Sequence, residues 1–208
     1  MRQLRTATFA IAIVTALFWL VTQAIGASDR AALTMGFIPG RFSGLFDLQP
    51  SVPAFLTPLS ATLVHGGLMH VAFNLLMLIW CGTAIERILG RGALVLLYVV
   101  GAYFAAAAQW LSNPSTIIPT IGASGAISAV IGAYSLSFGQ TKRIVASDRL
   151  NRWINALWLL AAWIVLQMMI GWLAGGQGLL LATPAHVGGF IAGLLLQRPL
   201  LLWRYRTA

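Results

Sequence analysis

Residues 67–111 read GLMHVAFNLLMLIWCGTAIERILGRGALVLLYVVGAYFAAAAQWL, two long apolar runs joined by a short charged turn. Glu86, Arg87 and Arg91 are the charged residues of this stretch, and all three lie at the junction. Each run has about the 20 residues that an α-helix needs to cross a hydrocarbon core of ~30 Å. The stretch therefore predicts a pair of membrane-spanning helices that run in opposite directions.

The rest of the chain repeats this pattern. Hydrophobic residues make up 59% of the 208 residues and charged residues 8%, against about 25% charged residues in an ordinary globular domain. A chain so apolar needs the bilayer as its solvent, so we predict an all-α polytopic membrane protein with one domain over residues 1–208. The six predicted spans are residues 7–26, 67–89, 92–111, 122–139, 153–173 and 185–203. The fourth is the shortest, and we expect it to begin below the membrane surface.

The basic residues predict the orientation of these spans. With the N-terminus inside, 11 of the 13 Lys and Arg residues fall on the inner side, and only Arg30 and Arg41 fall outside. Basic loops remain on the cytoplasmic side, so both termini are predicted to be cytoplasmic. The first apolar run is longer than the core of a signal peptide, which favours a retained helix. The Ala- and Arg-rich composition favours a bacterial plasma (inner) membrane.

Two further readings of the composition are excluded. The net charge of +9 could indicate nucleic-acid binding, but the basic residues are scattered between apolar runs instead of forming one basic face. A zinc site is not indicated, because Cys81 is the single cysteine and the histidines do not form His-Glu-x-x-His. The long outer loop, residues 27–66, is apolar and has four prolines, so we expect it to pack on the helices or lie in the membrane interface.

A few polar residues interrupt the spans. His70 and Asn74 are four residues apart in the second span and therefore share one helix face. Ser124 begins the fourth span within Gly122-Ala123-Ser124-Gly125. His65, at the outer lip of the second span, fits an interfacial residue. Taken singly, each of these residues also fits a packing role, since small and polar residues join helices in membranes.

Topology brings these residues together. His186 begins the sixth span, and the second, fourth and sixth spans all run from outside to inside. His70, Ser124 and His186 therefore lie at one depth near the outer membrane face. Ionisable residues inside a membrane are costly and usually functional, so the shared depth favours a site over three separate packing roles.

The residue types fit nucleophilic catalysis. A serine hydroxyl becomes a nucleophile when a base takes its proton, and His186 can be that base for Ser124. His70, Asn74 and the unpaired amides at a helix N-terminus can stabilise an oxyanion. Gly122 and Gly125 would let a substrate backbone approach closely. The acidic residues lie at the two membrane faces, away from His186, which predicts a Ser–His dyad without a third member; they are Asp29, Asp47, Glu86 and Asp148.

Together these motifs resemble the rhomboid intramembrane proteases over nearly the whole chain. The matching pieces are His70-x-x-x-Asn74, Gly122-Ala123-Ser124-Gly125 and Ala185-His186-x-x-Gly189-x-x-x-Gly193. Glu86 also resembles an acidic residue that the family often carries at the inner end of the second span.

The resemblance implies a six-helix bundle with a water-filled cavity open to the outer side. It implies a serine endopeptidase with a Ser124–His186 dyad and an oxyanion hole from His70, Asn74 and the Ser124 amide. Its substrates would be transmembrane proteins cleaved near the outer face, with the fifth span and the outer loops as candidate gates. No metal or organic cofactor is implied.

The sequence departs from the family pattern at two places. Some members have a tyrosine four residues after the serine, which stacks on the histidine, where this chain has Ser128. Some have a Trp-Arg pair in the long outer loop, where this chain has no tryptophan. The orientation of His186 and the anchoring of the loop are therefore open questions. Two alternatives are a catalytically inactive rhomboid-like protein that binds membrane clients and a polytopic transporter or channel.

Overall fold

The computed structural model describes residues 6–139, 143–175 and 182–206. Helices account for most of this part of the chain, which confirms the all-α prediction. In chain order they are α1 (Ala7–Ala24), α2 (Ser28–Met35), α3 (Pro39–Phe42), α4 (Ala54–Leu63), α5 (Leu68–Leu89), α6 (Arg91–Ser112), α7 (Ser124–Phe138), α8 (Asp148–Gly175) and α9 (Thr183–Arg204).

Within the described ranges, five helices are long and apolar enough to cross a membrane, namely α1, α5, α6, α8 and α9. The sixth predicted span corresponds to α7, which has 15 residues. At about 1.5 Å per residue it is about 22 Å long, less than the ~30 Å of a hydrocarbon core. A helix of this length places its first residue, Ser124, below the surface if its other end reaches the opposite face.

The fifth span was predicted to begin at about residue 153, and helix α8 begins five residues earlier, at Asp148. Polar side chains hold this extra turn. Asn151 accepts hydrogen bonds from the backbone of Ile144 and Val145, both at 3.0 Å. The charges that suggested a loop therefore lie on a helix. Arg2, Arg5 and Lys142, which were counted as inner residues, lie outside the described residues.

Small residues bring the backbones of α7 and α9 into contact. A Cβ atom placed on Gly193 of α9 would lie 2.1 Å from the backbone oxygen of Ala129, and one on Gly132 of α7 would lie 2.5 Å from the backbone oxygen of Phe190. The third member of this layer is α6, where a Cβ atom on Gly101 would lie 2.5 Å from the Ala129 side chain. Close packing of this kind is how helices associate where lipid removes the hydrophobic driving force.

The loop between α1 and α5 packs on the helices, as expected. Phe37 and Ile38 are each 3% exposed. Phe37 exchanges two backbone hydrogen bonds with Thr120 (3.0 and 2.8 Å), and the Gly40 amide donates to the Thr116 oxygen (2.9 Å). Trp110 of α6 contacts Phe42 edge to face. The loop is thus anchored to the segment that leads into Ser124, without a tryptophan of its own.

Helix α5 contains an internal π turn at Leu78–Gly82. It packs against the start of α1, where Thr8 lies close to Gly82. One turn further on, the buried Glu86 carboxylate accepts hydrogen bonds from the Ala7 and Thr8 amides (2.9 Å each) and from the Thr8 hydroxyl (2.6 Å). These amides belong to the first turn of α1 and have no partner within that helix. Glu86 therefore caps α1 from a neighbouring helix.

Replacing Glu86 with leucine should destabilise the bundle by about 2–3 kcal/mol, since hydrogen bonds to a charged group contribute about 1.5–3 kcal/mol each and partly compensate one another. Thermal or denaturant unfolding in detergent measures this loss. Asp148→Asn is the matched control, because the Asp148 carboxylate is 75% exposed and pairs with an exposed Arg143 at 3.5 Å. The control should change stability little, and equal losses in both variants would contradict the capping role.

Candidate active site

The structure brings Ser124 and His186 together. Ser124 is the first residue of α7, and His186 lies in the first turn of α9. The Nε2 atom of His186 lies 2.8 Å from the Ser124 hydroxyl oxygen. Their helices meet at backbone distance, since a Cβ atom on Gly189 would lie 1.9 Å from the Gly125 oxygen. The glycines of α9 therefore allow the imidazole to reach the hydroxyl.

Helix α8 supplies the other contacts of His186. The Gln167 side-chain oxygen lies 3.0 Å from Nδ1 of the ring, and the Trp163 indole N–H donates to the His186 backbone oxygen at 3.3 Å. The Trp163 ring also stacks on Phe190, with centroids 4.9 Å apart. Gln167 and Trp163 were not predicted from the sequence. The available signal was the Gln167 amide deep inside an apolar span, which is a costly placement.

His70 lies beside the segment that leads into Ser124. Gly122 has a φ of +110°, a conformation that favours glycine. A Cβ atom at this position would lie 2.5 Å from Nε2 of His70. Gly122 is therefore required here for the backbone to pass over the His70 ring. Gly125 allows close helix packing, since a Cβ atom at this position would lie 2.5 Å from the Ala105 side chain.

Asn74 is buried one turn below His70. Its side-chain N–H group donates to the His70 backbone oxygen at 2.8 Å. Among the described residues its side-chain oxygen has no hydrogen-bond partner. The amide group carries a second hydrogen that this bond does not use. Asn74 therefore retains one donor that a ligand could engage.

His65 is buried among protein atoms, since it is only 3% exposed. The Ala123 amide donates to its Nε2 atom at 3.4 Å, and its ring contacts the His70 ring at a centroid distance of 4.9 Å. Burial, with a smaller contribution from His70, lowers the pKa of His65 to about 4. The ring is therefore neutral near pH 7, so Nε2 can accept this bond. His65 therefore holds the backbone of Ala123, the residue before Ser124, through this hydrogen bond.

A small cavity of about 30 Å³ lies next to Ser124. Its walls include Gly122, Gly125 and Ala185, and Thr62 and Thr120 add hydroxyl groups. A cavity of this volume is large enough for one water molecule.

Comparison with known proteins identifies the family. A family model described as Rhomboid domain matches residues 54–203. The chain belongs to the rhomboid family. The matched region contains all of the predicted site residues of this rhomboid, from His70 to His186. Helix α1 lies outside the matched region.

Three relatives show how far the likeness to other rhomboids extends. The rhomboid protease GlpG of Serratia proteamaculans is 32% identical over 138 residues, which are 66% of this chain and 45% of that protein. The rhomboid protease GluP of Bacillus subtilis is 40% identical over 78 residues, 38% of this chain and 14% of that protein. RHOMBOID-like protein 5 of Arabidopsis thaliana is 28% identical over 150 residues, 69% of this chain and 43% of that protein. The chain thus spans less than half the length of these relatives.

Proposed function

We propose that this rhomboid is an intramembrane serine endopeptidase that cleaves transmembrane-helix substrates near the outer membrane face with a Ser124–His186 dyad. The observation that carries the proposal is the 2.8 Å contact between the His186 Nε2 atom and the Ser124 hydroxyl. Two relatives named as rhomboid proteases support the same reaction class. We place the chain as one domain, residues 1–208, in a bacterial inner membrane with both termini in the cytoplasm.

The dyad carries the proton transfers. His186 takes the Ser124 proton as the hydroxyl oxygen attacks the carbonyl carbon of the scissile bond, and it then gives this proton to the leaving amine. The result is an ester between Ser124 and the N-terminal part of the substrate. His186 next takes a proton from a water molecule, which attacks the ester, and the proton returns to Ser124. The cavity beside Ser124 supports this water-dependent step.

The oxyanion would be stabilised from three directions. The Ser124 amide is at the first position of α7, where a helix leaves its amides unpaired and its dipole favours negative charge. His70 lies against Gly122, two residues before the nucleophile. Asn74 has a spare amide hydrogen on the same face of α5. Such donors act best when they are fixed before the reaction, and the ring contact of His70 with His65 and the hydrogen bond of Asn74 to the His70 backbone hold them.

Entry of a substrate helix would involve α8. Only 6% of its most apolar 18-residue window is buried, against 39% for α6 and α9. A helix held by so few contacts separates from the bundle at lower cost than its neighbours. This sparse packing supports α8 as the gate through which a substrate helix reaches Ser124.

The test is cleavage of a model single-span substrate in proteoliposomes by the wild type and by Ser124→Ala. Cleavage by the wild type alone supports the proposal. Cleavage by both proteins contradicts the assignment of Ser124. If neither cleaves, labelling of the wild type by a serine-directed fluorophosphonate probe distinguishes the wrong substrate from an inactive, client-binding protein.

Alanine at His70 or Asn74 should lower kcat by roughly 10²-fold or more, as loss of one oxyanion donor does, and should change KM less. The reason is that these side chains would act on charge that develops during the reaction. Initial rates over a range of substrate densities in the membrane separate the two constants. A rise in KM at constant kcat would assign these residues to substrate binding instead.

A further inference from the structure

We infer that Gln167 is a positioning residue that holds His186 in the tautomer and ring orientation needed to activate Ser124. The inference rests on the proposed function and concerns the partner of the base, for which the sequence showed no carboxylate. It also assigns a catalytic contact to α8, a helix that otherwise lies at the edge of the bundle.

The burial pattern of α8 singles out Gln167. It is 5% exposed and is the one buried residue between residues 152 and 169. Its neighbours Leu166, Met168 and Met169 are 45%, 64% and 59% exposed. A membrane helix usually turns its polar side chains toward other helices. Gln167 follows this rule, and its side-chain oxygen contacts the His186 ring.

The two ring nitrogens of His186 have different partners, and this difference determines which nitrogen carries the proton of the neutral ring. Nε2 faces the Ser124 hydroxyl at 2.8 Å, while Nδ1 faces the Gln167 side-chain oxygen at 3.0 Å. Nε2 can take the serine proton only if the neutral ring carries its own proton on Nδ1. An Nδ1–H group buried in a membrane protein needs an acceptor, and the amide oxygen is that acceptor. With the opposite amide orientation, Gln167 would donate to Nδ1 and the proton would block Nε2.

Trp163 aligns Gln167 with the ring. It lies four residues earlier and therefore on the same face of α8. Its indole N–H donates to the His186 backbone oxygen and its ring stacks on Phe190. Backbone and side chain of the same histidine are thus held from one face of α8. This arrangement supplies the orientation that a tyrosine at the position of Ser128 would otherwise give.

An amide differs from a carboxylate in one chemical respect. Both accept the Nδ1–H bond, but only a carboxylate also offers a full negative charge to the imidazolium that forms during the reaction. Gln167 therefore orients the base without adding a charge to the membrane interior, where an unpaired charge is costly.

Three substitutions test the inference through kcat and KM for the model substrate. Gln167→Leu removes the acceptor at similar volume, Gln167→Asn keeps an amide that is one methylene too short, and Gln167→Glu keeps an oxygen at the same reach. We expect kcat to fall at least about tenfold in the leucine and asparagine variants, as loss of one buried hydrogen bond implies, with KM within about twofold. The glutamate variant should stay within about threefold of the wild-type kcat.

Gln197→Leu is the matched control. It removes the same side chain from α9, where the Gln197 amide donates to the Ser137 hydroxyl at 3.1 Å, away from His186. It should leave kcat unchanged. The rate of Ser124 labelling by a fluorophosphonate probe should follow the same order as kcat, because it reports activation of the nucleophile without a substrate helix.

The outcomes separate this inference from the proposed function. Cleavage by the wild type and none by Ser124→Ala establishes the dyad whatever the Gln167 variants do. Against that background, wild-type kcat in Gln167→Leu would overturn the inference. A packing role predicts that the leucine variant is the best tolerated of the three, because leucine preserves the volume of glutamine. Equal loss in all three variants would show that the fold, and not the acceptor oxygen, depends on Gln167. Either pattern would also overturn the inference.

Discussion

Replacing Ser124 with alanine should lower the cleavage rate by about 10⁴-fold or more, and replacing His186 with alanine should lower it as much. In the proposed mechanism the two residues exchange one proton across the 2.8 Å contact, so neither would act without the other. The double variant should therefore be no slower than either single variant, because groups that act as a unit show strongly non-additive losses. Rate constants from substrate cleavage in proteoliposomes provide the comparison.

The matched control for this experiment is Ser135→Ala. Ser135 lies on the same helix α7, and its hydroxyl donates to the Ile131 backbone oxygen at 2.9 Å, within its own helix. Its loss should leave the cleavage rate near that of the wild type. If the losses at Ser124 and His186 add in the double variant, the two residues do not act as a dyad. Thermal unfolding of each variant shows whether the protein remains folded.

The second large effect concerns the interface between α7 and α9. Gly193→Ala should destabilise the fold by more than about 3 kcal/mol, above the usual range for overpacking. The new Cβ atom would lie 2.1 Å from the Ala129 oxygen and 2.9 Å from two further backbone atoms of α7. These are helix backbone atoms that cannot move aside singly, so the two helices would have to separate. That movement would also draw His186 away from Ser124.

Gly92→Ala is the same substitution at an open position. Gly92 is an exposed residue near the start of α6, and a Cβ atom there meets nothing within 4 Å. Alanine favours a helix over glycine by about 0.5–1 kcal/mol, so this variant should be as stable as the wild type or slightly more stable. Unfolding in detergent, followed by size-exclusion profile and circular dichroism, compares the two. A similar loss at both positions would show that close packing at Gly193 is not the cause.

The spans could be predicted from the sequence because lipid leaves little choice of residue along α5 and α6. The pairing of His70 with Asn74 followed from helix periodicity, and the meeting of Ser124 with His186 from their common depth. Both are short-range or topological rules that need no knowledge of side-chain packing. The catalytic roles of these residues remain predictions, although the geometry supports them.

The missed features depend on which way a helix faces. The apolar pattern of α8 places it in the membrane but does not indicate that Gln167 turns toward α9. Burial of His65 depends on the approach of Ala123, 58 residues later in the chain. The outer loop was expected to pack on the helices, but its docking position depends on backbone pairing between Phe37 and Thr120, which the residue types do not indicate.

The π turn in α5 keeps the two ends of that helix in phase. Asn74 and Glu86 are twelve residues apart, and at about 100° per residue an uninterrupted α-helix would point them about 120° away from each other. A π turn accommodates about one extra residue, which reduces this angle to about 20°. Both side chains are 7% exposed, in keeping with a common inward direction. The additional residue at Leu78–Gly82 thus allows one helix to present an amide beside His70 and a carboxylate to the start of α1 along a single line.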